Sequence, residues 1–353
     1  MHAQKFFSPP TPETGTTDQE STSTTPNSAQ KSKKSSRKNK NPKPPIKHNF
    51  PPKLDPLNNL EYLKNIPTSK GYVDVHCHLA ASEFDSDREE VIQAAKNAGV
   101  AAVIVVAEGP DCFEKILDLQ DKHPNFIFPC LGCHPIQGDY CDVEKAKSLT
   151  PEYLEKFGRI DFVEKNSEKL SGIGEIGLDF TLKYTPNGAA DRDLQRAALR
   201  TQVQLASTLN LPINLHSRSA GKPLFEVLDN EFPRIPGVFH AYAGKPSLIP
   251  FMTKKNPNLY FSAGTNRVCV ESDNKEKFIQ AEKFFKNIPY ENVLLETDAP
   301  ALGPFRGERN EPKNVVLAAE SFAKSRGLDV GLVRNLTSFN ACKLFPKLRR
   351  VLY

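Results

Sequence analysis

No apolar run in this 353-residue sequence approaches the roughly 20 residues that a membrane-spanning helix needs, which excludes a helical membrane protein. The opening residues, Met1-His2-Ala3-Gln4-Lys5, lack the charged-then-apolar layout of a secretory signal, and the stretch is poor in Arg, which argues against a mitochondrial transit peptide. These absences place the expected site of action in the cytoplasm, the nucleus or both. The seven cysteines are odd in number and scattered, so free buried thiols are expected rather than disulfides. Cys130-x-x-Cys133-His134 matches a haem-attachment pattern, but the only methionines are Met1 and Met252 and no distal ligand is in view. A second cysteine pair at zinc-site spacing is also missing.

Acidic residues are missing where basic ones collect. Residues 1–70 carry 12 Lys/Arg against 5 Asp/Glu, a net +7, whereas the remaining chain carries 35 against 37, a net −2. Within the first segment, 31–47 (KSKKSSRKNKNPKPPIK) holds eight positive charges and no negative ones. Residues 1–70 are rich in Ser, Thr, Pro, Lys and Asn and poor in aliphatics, so they cannot bury enough apolar surface to offset the entropy of ordering. They are expected to be disordered, with Tyr62-Leu63 beginning to dock on the domain that follows. The run 31–47 reads as a solvated basic linker, with a nuclear localisation signal or a weak nucleic-acid tether as the second reading.

From Gly71 onward, short apolar strands alternate with amphipathic helices, and residues 71–353 form one domain. Strands are expected at Val73–His78, Val100–Ala107, Phe126–Leu131, Ser171–Ile176, Leu211–His216, Gly237–His240, Leu259–Ser262 and Asn292–Thr297. Helices are expected between them at 85–98, 111–123, 151–170, 191–210, 222–231, 246–256 and 275–286, then at 312–324 and 329–344, with 135–149 a loop. Eight such alternations over about 280 residues fit a (β/α)8 TIM-type barrel; an open doubly wound sheet is the alternative. Gly172-Ile-Gly174-Glu-Ile-Gly177 matches G-x-G-x-x-G, yet it lies within and after a strand and opens no helix, so no dinucleotide is expected. Its glycines would let the chain pass closely by a metal centre, for which the strand ends supply ligands.

Polar residues gather where the strands end. The C-terminal end of the first strand gives His76 and His78, that of the third His134, of the fourth Glu175 and then Asp179, of the fifth His216, of the sixth His240, and of the eighth Glu296 and Asp298. Five of the eight histidines lie in this set. In a barrel, these ends converge on one rim. Singly, each histidine would be a hydrogen-bonded structural residue; jointly, they point to divalent metal. Alternation puts Asp74, His76 and His78 on one face of the first strand.

D-V-H-C-H-L (74–79), G-C-H-P (132–135), G-E-I-G-L-D (174–179), L-P-I-N-L-H-S-R (211–218), G-V-F-H-A-Y-A-G (237–244), L-E-T-D-A-P (295–300) and R-N-E-P (309–312) occur in the order found in the TatD family of metal-dependent deoxyribonucleases, which the chain resembles over 71–345. H-S-R-S-A-G (216–221), P-A-L-G-P (300–304) and L-F-P-K-L (344–348) are similar to the subgroup called TatD domain-containing protein 3. The resemblance implies an amidohydrolase-type barrel with two divalent ions (Mg, Mn or Zn). One would be held by His76, His78, Glu175 and Asp298, the other by Glu175, His216 and His240. It further implies a catalytic set of Asp298, which orients or deprotonates the attacking water, bridging Glu175, and His134 on the scissile phosphate. Arg218 is a second phosphate candidate or else a salt-bridge residue. Ala80 stands where many members carry an acid after His-x-His-Leu, which bears on substrate range.

The function expected is hydrolysis of DNA phosphodiester bonds, as a 3′-5′ exonuclease, with DNA as substrate and no obligate protein partner. Hydrolysis of another ester such as D-aminoacyl-tRNA is the alternative on the same centre. A non-catalytic nucleic-acid-binding protein led by the basic tail is the alternative from another class.

Overall fold

The computed structural model describes residues 59–138, 145–268 and 275–353. The basic run 31–47 lies outside the described residues, as does the rest of the tail up to residue 58. Leu60–Lys64 is a short helix. The Tyr62 hydroxyl donates to Asn340 Oδ1 at 2.6 Å, so contact with the domain is made before Gly71.

The eight barrel strands are β1 (Tyr72–Cys77), β2 (Val100–Val106), β3 (Ile127–Leu131), β4 (Gly172–Asp179), β5 (Ile213–Arg218), β6 (Gly237–Phe239), β7 (Leu259–Gly264) and β8 (Val293–Glu296). They form one parallel sheet in sequence order. Helices connect successive strands, as parallel neighbours require. β1 and β8 share no ladder; their seam closes just past the strand ends, where the Asp298 N–H donates to His76 O (2.9 Å) and the His78 N–H to Ala299 O (2.7 Å). The arrangement is the TIM-type barrel expected, not the open sheet.

Val73, Val75, Ile104, Val106, Phe128, Cys130, Val238 and Leu294 form one buried cluster drawn from most of the strands around the sheet, which places it in the barrel interior. Phe345, Leu348 and Leu352 join this cluster. The Lys70 N–H, just before β1, donates to Leu352 O, so the C-terminal segment plugs the barrel at the N-terminal ends of its strands. A larger cluster packs the helices against the outside. One end of the barrel is thereby sealed with apolar side chains, and the other is left for polar ones.

Local differences from the expected elements have identifiable causes. The helix expected over 151–170 is two, Pro151–Phe157 and Ile160–Lys165, because Arg159 takes a left-handed φ of 51°. Several helices open with a 3-10 turn, so regular α-helix starts late, at Phe113, Ile249 and Val315, and the helix at Arg88 starts after a turn over 85–87. The 135–149 loop contains a two-residue ribbon pairing Ile136–Gln137 with Lys147–Ser148. The strict alternation expected of β1 also breaks. The β1–β2 register shifts between Asp74 and Cys77, so Val75 joins the interior cluster while His76, next to it, also reaches the centre.

Candidate metal centre

The sequence places a polar residue at the end of nearly every strand, and the barrel brings those residues to one point. His76, His78, His134, Glu175, His216, His240 and Asp298 are all buried, each no more than 9% exposed. Glu175 divides them. Its Oε2 lies 3.5 Å from both His76 Nε2 and His78 Nε2, and these two nitrogens lie 3.4 and 3.2 Å from Asp298 Oδ1. Its Oε1 lies 2.8 Å from His216 Nδ1, 2.7 Å from His240 Nε2 and 3.8 Å from His134 Nε2. Two sets of nitrogen and oxygen donors thus share one carboxylate, a spacing and chemistry that fit divalent cations. Among the described residues, the compact groups able to hold an ion are His76/His78/Asp298, His134/Glu175/His216 and His76/His240/Glu296.

The charges are arranged to match. Burial would neutralise His76 and His78, but the neighbouring carboxylates outweigh it: Glu175 and Asp298 hold His76 well above its ordinary value, and Asp298, Glu108 and Glu175 hold His78 at about 9. Burial opposes the charge of Asp298 too, and the hydrogen bonds from His76 and His78 overcome it, lowering its pKa. Glu175 is likewise held well below the carboxylate range against the cost of burial by the imidazoles around it, His240 foremost. Five imidazoles around two carboxylates cannot all be charged. Burial, followed by the proximity of His216, pushes His134 down to about 3, and burial with the proximity of His76 pushes His240 down to about 4. Such a set exchanges protons for cations readily.

A second layer of partners orients the donors; Asp74, Asp179 and Glu296 were in view on the strands, whereas the part of Asn214 was not. The ring Nδ1 of His76 lies 2.8 Å from Asn214 Oδ1, and the Asn214 amide donates to Val75 O, which fixes the tautomer with Nε2 toward the centre. Asn214 lies two residues before His216 on β5, so alternation could have found it. His216 Nε2 lies 3.5 Å from Asp179 Oδ2, and His240 Nδ1 lies 3.9 Å from Glu296 Oε2. Glu296 Oε1 accepts the Ala241 N–H at 2.7 Å, bracing the backbone after His240. Asp74, expected beside the histidines, spans the seam instead. Its Oδ1 accepts the Thr297 N–H (2.9 Å) and its Oδ2 the Thr297 hydroxyl (2.5 Å), and burial raises its pKa to about 7.

Arg218 stays 56% exposed with Nη1 3.7 Å from Asp179 Oδ2, so a free guanidinium face and a positioning contact coexist. Glu108, exposed just past the apolar β2, was not singled out by sequence. Its carbonyl oxygen accepts the His134 N–H at 2.9 Å, which sets the loop carrying His134.

Close approach explains the glycines of β4. A Cβ on Gly174 would sit 2.6 Å from Asn214 Cβ, and one on Gly177 would sit 2.0 Å from His216 O. Only glycine lets β4 run beside β5 at the level where Glu175 meets His216.

The chain is matched over residues 73–346 by the family described as TatD related DNase. It is 40% identical over 282 residues to the human protein named Deoxyribonuclease TATDN3, covering 80% of this chain and 97% of that one. It is 29% identical over 284 residues to the 3'-5' ssDNA/RNA exonuclease TatD of Rahnella sp., covering 77% of this chain and 97% of that one. Among solved structures, the TatD homologue YJJV of Escherichia coli superposes with a TM-score of 0.64 at 25% identity, over 78% of this chain and 98% of that one. With the family's motifs lining one buried donor cluster at the open end of a TIM-type barrel, the chain belongs to the TatD-related DNases.

Proposed function

We propose that the protein is a metal-dependent deoxyribonuclease that hydrolyses phosphodiester bonds from 3′ ends and holds two divalent ions per chain. The observation that carries this reading is the division of donors by Glu175. Its Oε2 faces His76, His78 and Asp298, and its Oε1 faces His216 and His240. Ions held there would supply positive charge to the scissile phosphate and lower the pKa of coordinated water toward about 7. The likeness to the Rahnella exonuclease supports the 3′-5′ direction.

The chain's own residues then take separate roles. His76, His78, Glu175 and Asp298 would hold one ion and Glu175, His216 and His240 the other, Glu175 being common to both sets. Asp298 accepts the proton released by the attacking water. The Ile136 N–H lies 3.1 Å from His134 Nδ1; accepting it puts the ring proton on Nε2, which would donate to a non-bridging phosphate oxygen. The opposite tautomer, with Nδ1–H donating to Ile136 O at 3.0 Å, would turn Nε2 into a ligand, so the ring's protonation separates the two roles. Arg218 gives a second contact to phosphate at the rim. Imidazole-rich donors suit Mn or Zn better than Mg, which prefers oxygen. The 31–47 run supports nuclear as well as cytoplasmic residence.

The test is metal analysis on unsupplemented protein followed by assay. Two ions per chain, release of nucleotides from single-stranded DNA with Mg²⁺ or Mn²⁺, arrest by EDTA and loss of turnover in Glu175→Ala are expected. A fully active Glu175→Ala would sink the scheme. Preferential turnover of D-aminoacyl-tRNA in a parallel assay would replace DNA as the substrate.

A further inference from the structure

Large apolar side chains that stay exposed are informative when they cluster at a catalytic mouth. Two do so on the loop after β8, Leu302 (37% exposed) and Phe305 (39%). This loop begins directly behind Asp298 and also exposes Arg306. Its base is held rigidly. Asn310, 1% exposed, lies with its amide nitrogen 2.7 Å from Thr297 O and 2.8 Å from Ala301 O, and its N–H donates to Pro300 O. The Thr265 hydroxyl donates to Leu302 O at 3.0 Å. Arg309 pairs with Asp87 at 2.6 Å and donates to Glu83 O, tying the far end of the loop to the segment after β1. Gly307 makes the turn at its tip with φ of 81°. Polar groups thus fix the loop from below while Phe305 and Leu302 remain uncovered.

We propose that this loop is a stacking platform for an unpaired nucleobase of the strand whose phosphate enters the centre, with Phe305 as the stacking ring, Leu302 as its apolar flank and Arg306 meeting the adjoining phosphate. The proposal rests on the nuclease reading above and narrows its substrate to strands that present an unpaired base beside the cleavable bond. Three features choose a base over a protein partner. The loop starts directly behind Asp298, so a protein seated on it would crowd the entrance to the centre. Its cation adjoins an aromatic ring, the combination that tracks a polyanion while stacking its bases. Its base is preorganised, which lowers the ordering cost of a small flat ligand.

Steady-state hydrolysis of a single-stranded oligodeoxynucleotide by the full-length wild type, Phe305→Ala, Phe305→Tyr and Arg306→Ala tests this, with methyl p-nitrophenyl phosphate as a substrate without a base. Phe305→Ala is expected to raise KM for the oligonucleotide about tenfold, in the range that the loss of one stacked base produces, with kcat within about twofold. Phe305→Tyr should restore KM, and neither change should alter turnover of the small diester. Arg306→Ala should weaken binding and flatten its salt dependence. An unchanged KM in Phe305→Ala overturns the platform while leaving the nuclease reading intact. An equal loss on both substrates overturns it as well, because the residue would then act only through structure. A shift from dimer to monomer on sedimentation with KM unchanged assigns the patch to self-association instead. A wild type that hydrolyses the small diester and no DNA defeats both readings together.

Discussion

Asn214 shows how one side chain outside the donor set governs the donors. It is fully buried, bonds the ring of His76 with one end of its amide and the Val75 carbonyl with the other, and so dictates which imidazole nitrogen faces the centre. Losing such an orienting partner typically costs about 10–100-fold in metal affinity. Asn214→Ala is therefore expected to bind its ions more weakly by that order, as read by competition with a chromophoric chelator; an unchanged affinity would show that packing alone orients His76. The protonation of His76 and His78 leads to a pH prediction. Both are raised above the usual imidazole value, His78 to about 9, so the ion-free centre holds protons that cations must displace. Metal binding then releases protons, and affinity rises with pH through about pH 9, the value around which His78 gives up its proton without help. Calorimetric titration in buffers of different ionisation enthalpy measures the release; heats independent of the buffer would contradict it.

At the scale of elements, each barrel strand delivers its polar residue at the C-terminal end, and the loops beyond hold those ends in register. Asn310 is the clearest case. Its amide reaches carbonyls on both sides of Pro300 and so braces the turn that carries Asp298, which itself takes a left-handed φ of 59°. Removing it takes one of two donors from Thr297 O, which keeps the Thr265 hydroxyl, and the amide donor from Ala301 O, at a cost on the order of 1–2 kcal/mol. Asn310→Ala should lower the free energy of unfolding, read from denaturant titration, by that amount and reduce kcat more than KM, because Asp298 would be misplaced; a loss of stability with full kcat would confine its role to folding. R-N-E-P was visible in the sequence as a motif, but not its purpose, because the acceptors of Asn310 are carbonyls and carbonyls leave no trace in residue identity. The break at Arg159 was hidden for a related reason: an arginine in a left-handed turn is held by its contacts, and nothing in its type announces it. Helix starts were misplaced by a few residues wherever a 3-10 turn preceded the α-helix, since both share the same apolar face.

For the whole molecule, the two ends of the barrel have different jobs. Phe345, Leu348 and Leu352 seal the end at which the strands begin, and the donors occupy the end at which they finish. Tyr62 and Lys70 attach the start of the domain through Asn340 and Leu352, on the C-terminal segment. No helix among the described residues is long and apolar enough to cross a membrane. The domain beyond residue 70 is near neutral, and the excess of positive charge lies before it. Removing residues 1–58 is therefore expected to leave kcat on short oligonucleotides unchanged while weakening binding to long polyanions and flattening its salt dependence, as followed by fluorescence anisotropy. A truncated protein with no turnover would assign the tail a part in catalysis.

Much of this was legible in residue order alone. Strand-helix alternation announced the barrel, because apolar runs of strand length separated by amphipathic stretches have few other ways to bury both faces of a sheet. The seven residues of the proposed catalytic and metal set were visible because histidines and acids at strand ends are too costly to bury without purpose. What residue order could not reveal was pairing. That Glu175 presents one oxygen to His76 and His78 and the other to His216 and His240 depends on the closure of the barrel. So do the capture of Asp74 by Thr297 across the seam and the approach of Asn214 to His76. Those contacts join residues more than 40 positions apart, and only the closed sheet, with its shifted register in β1 and its glycine-lined passage in β4, brings them within bonding distance.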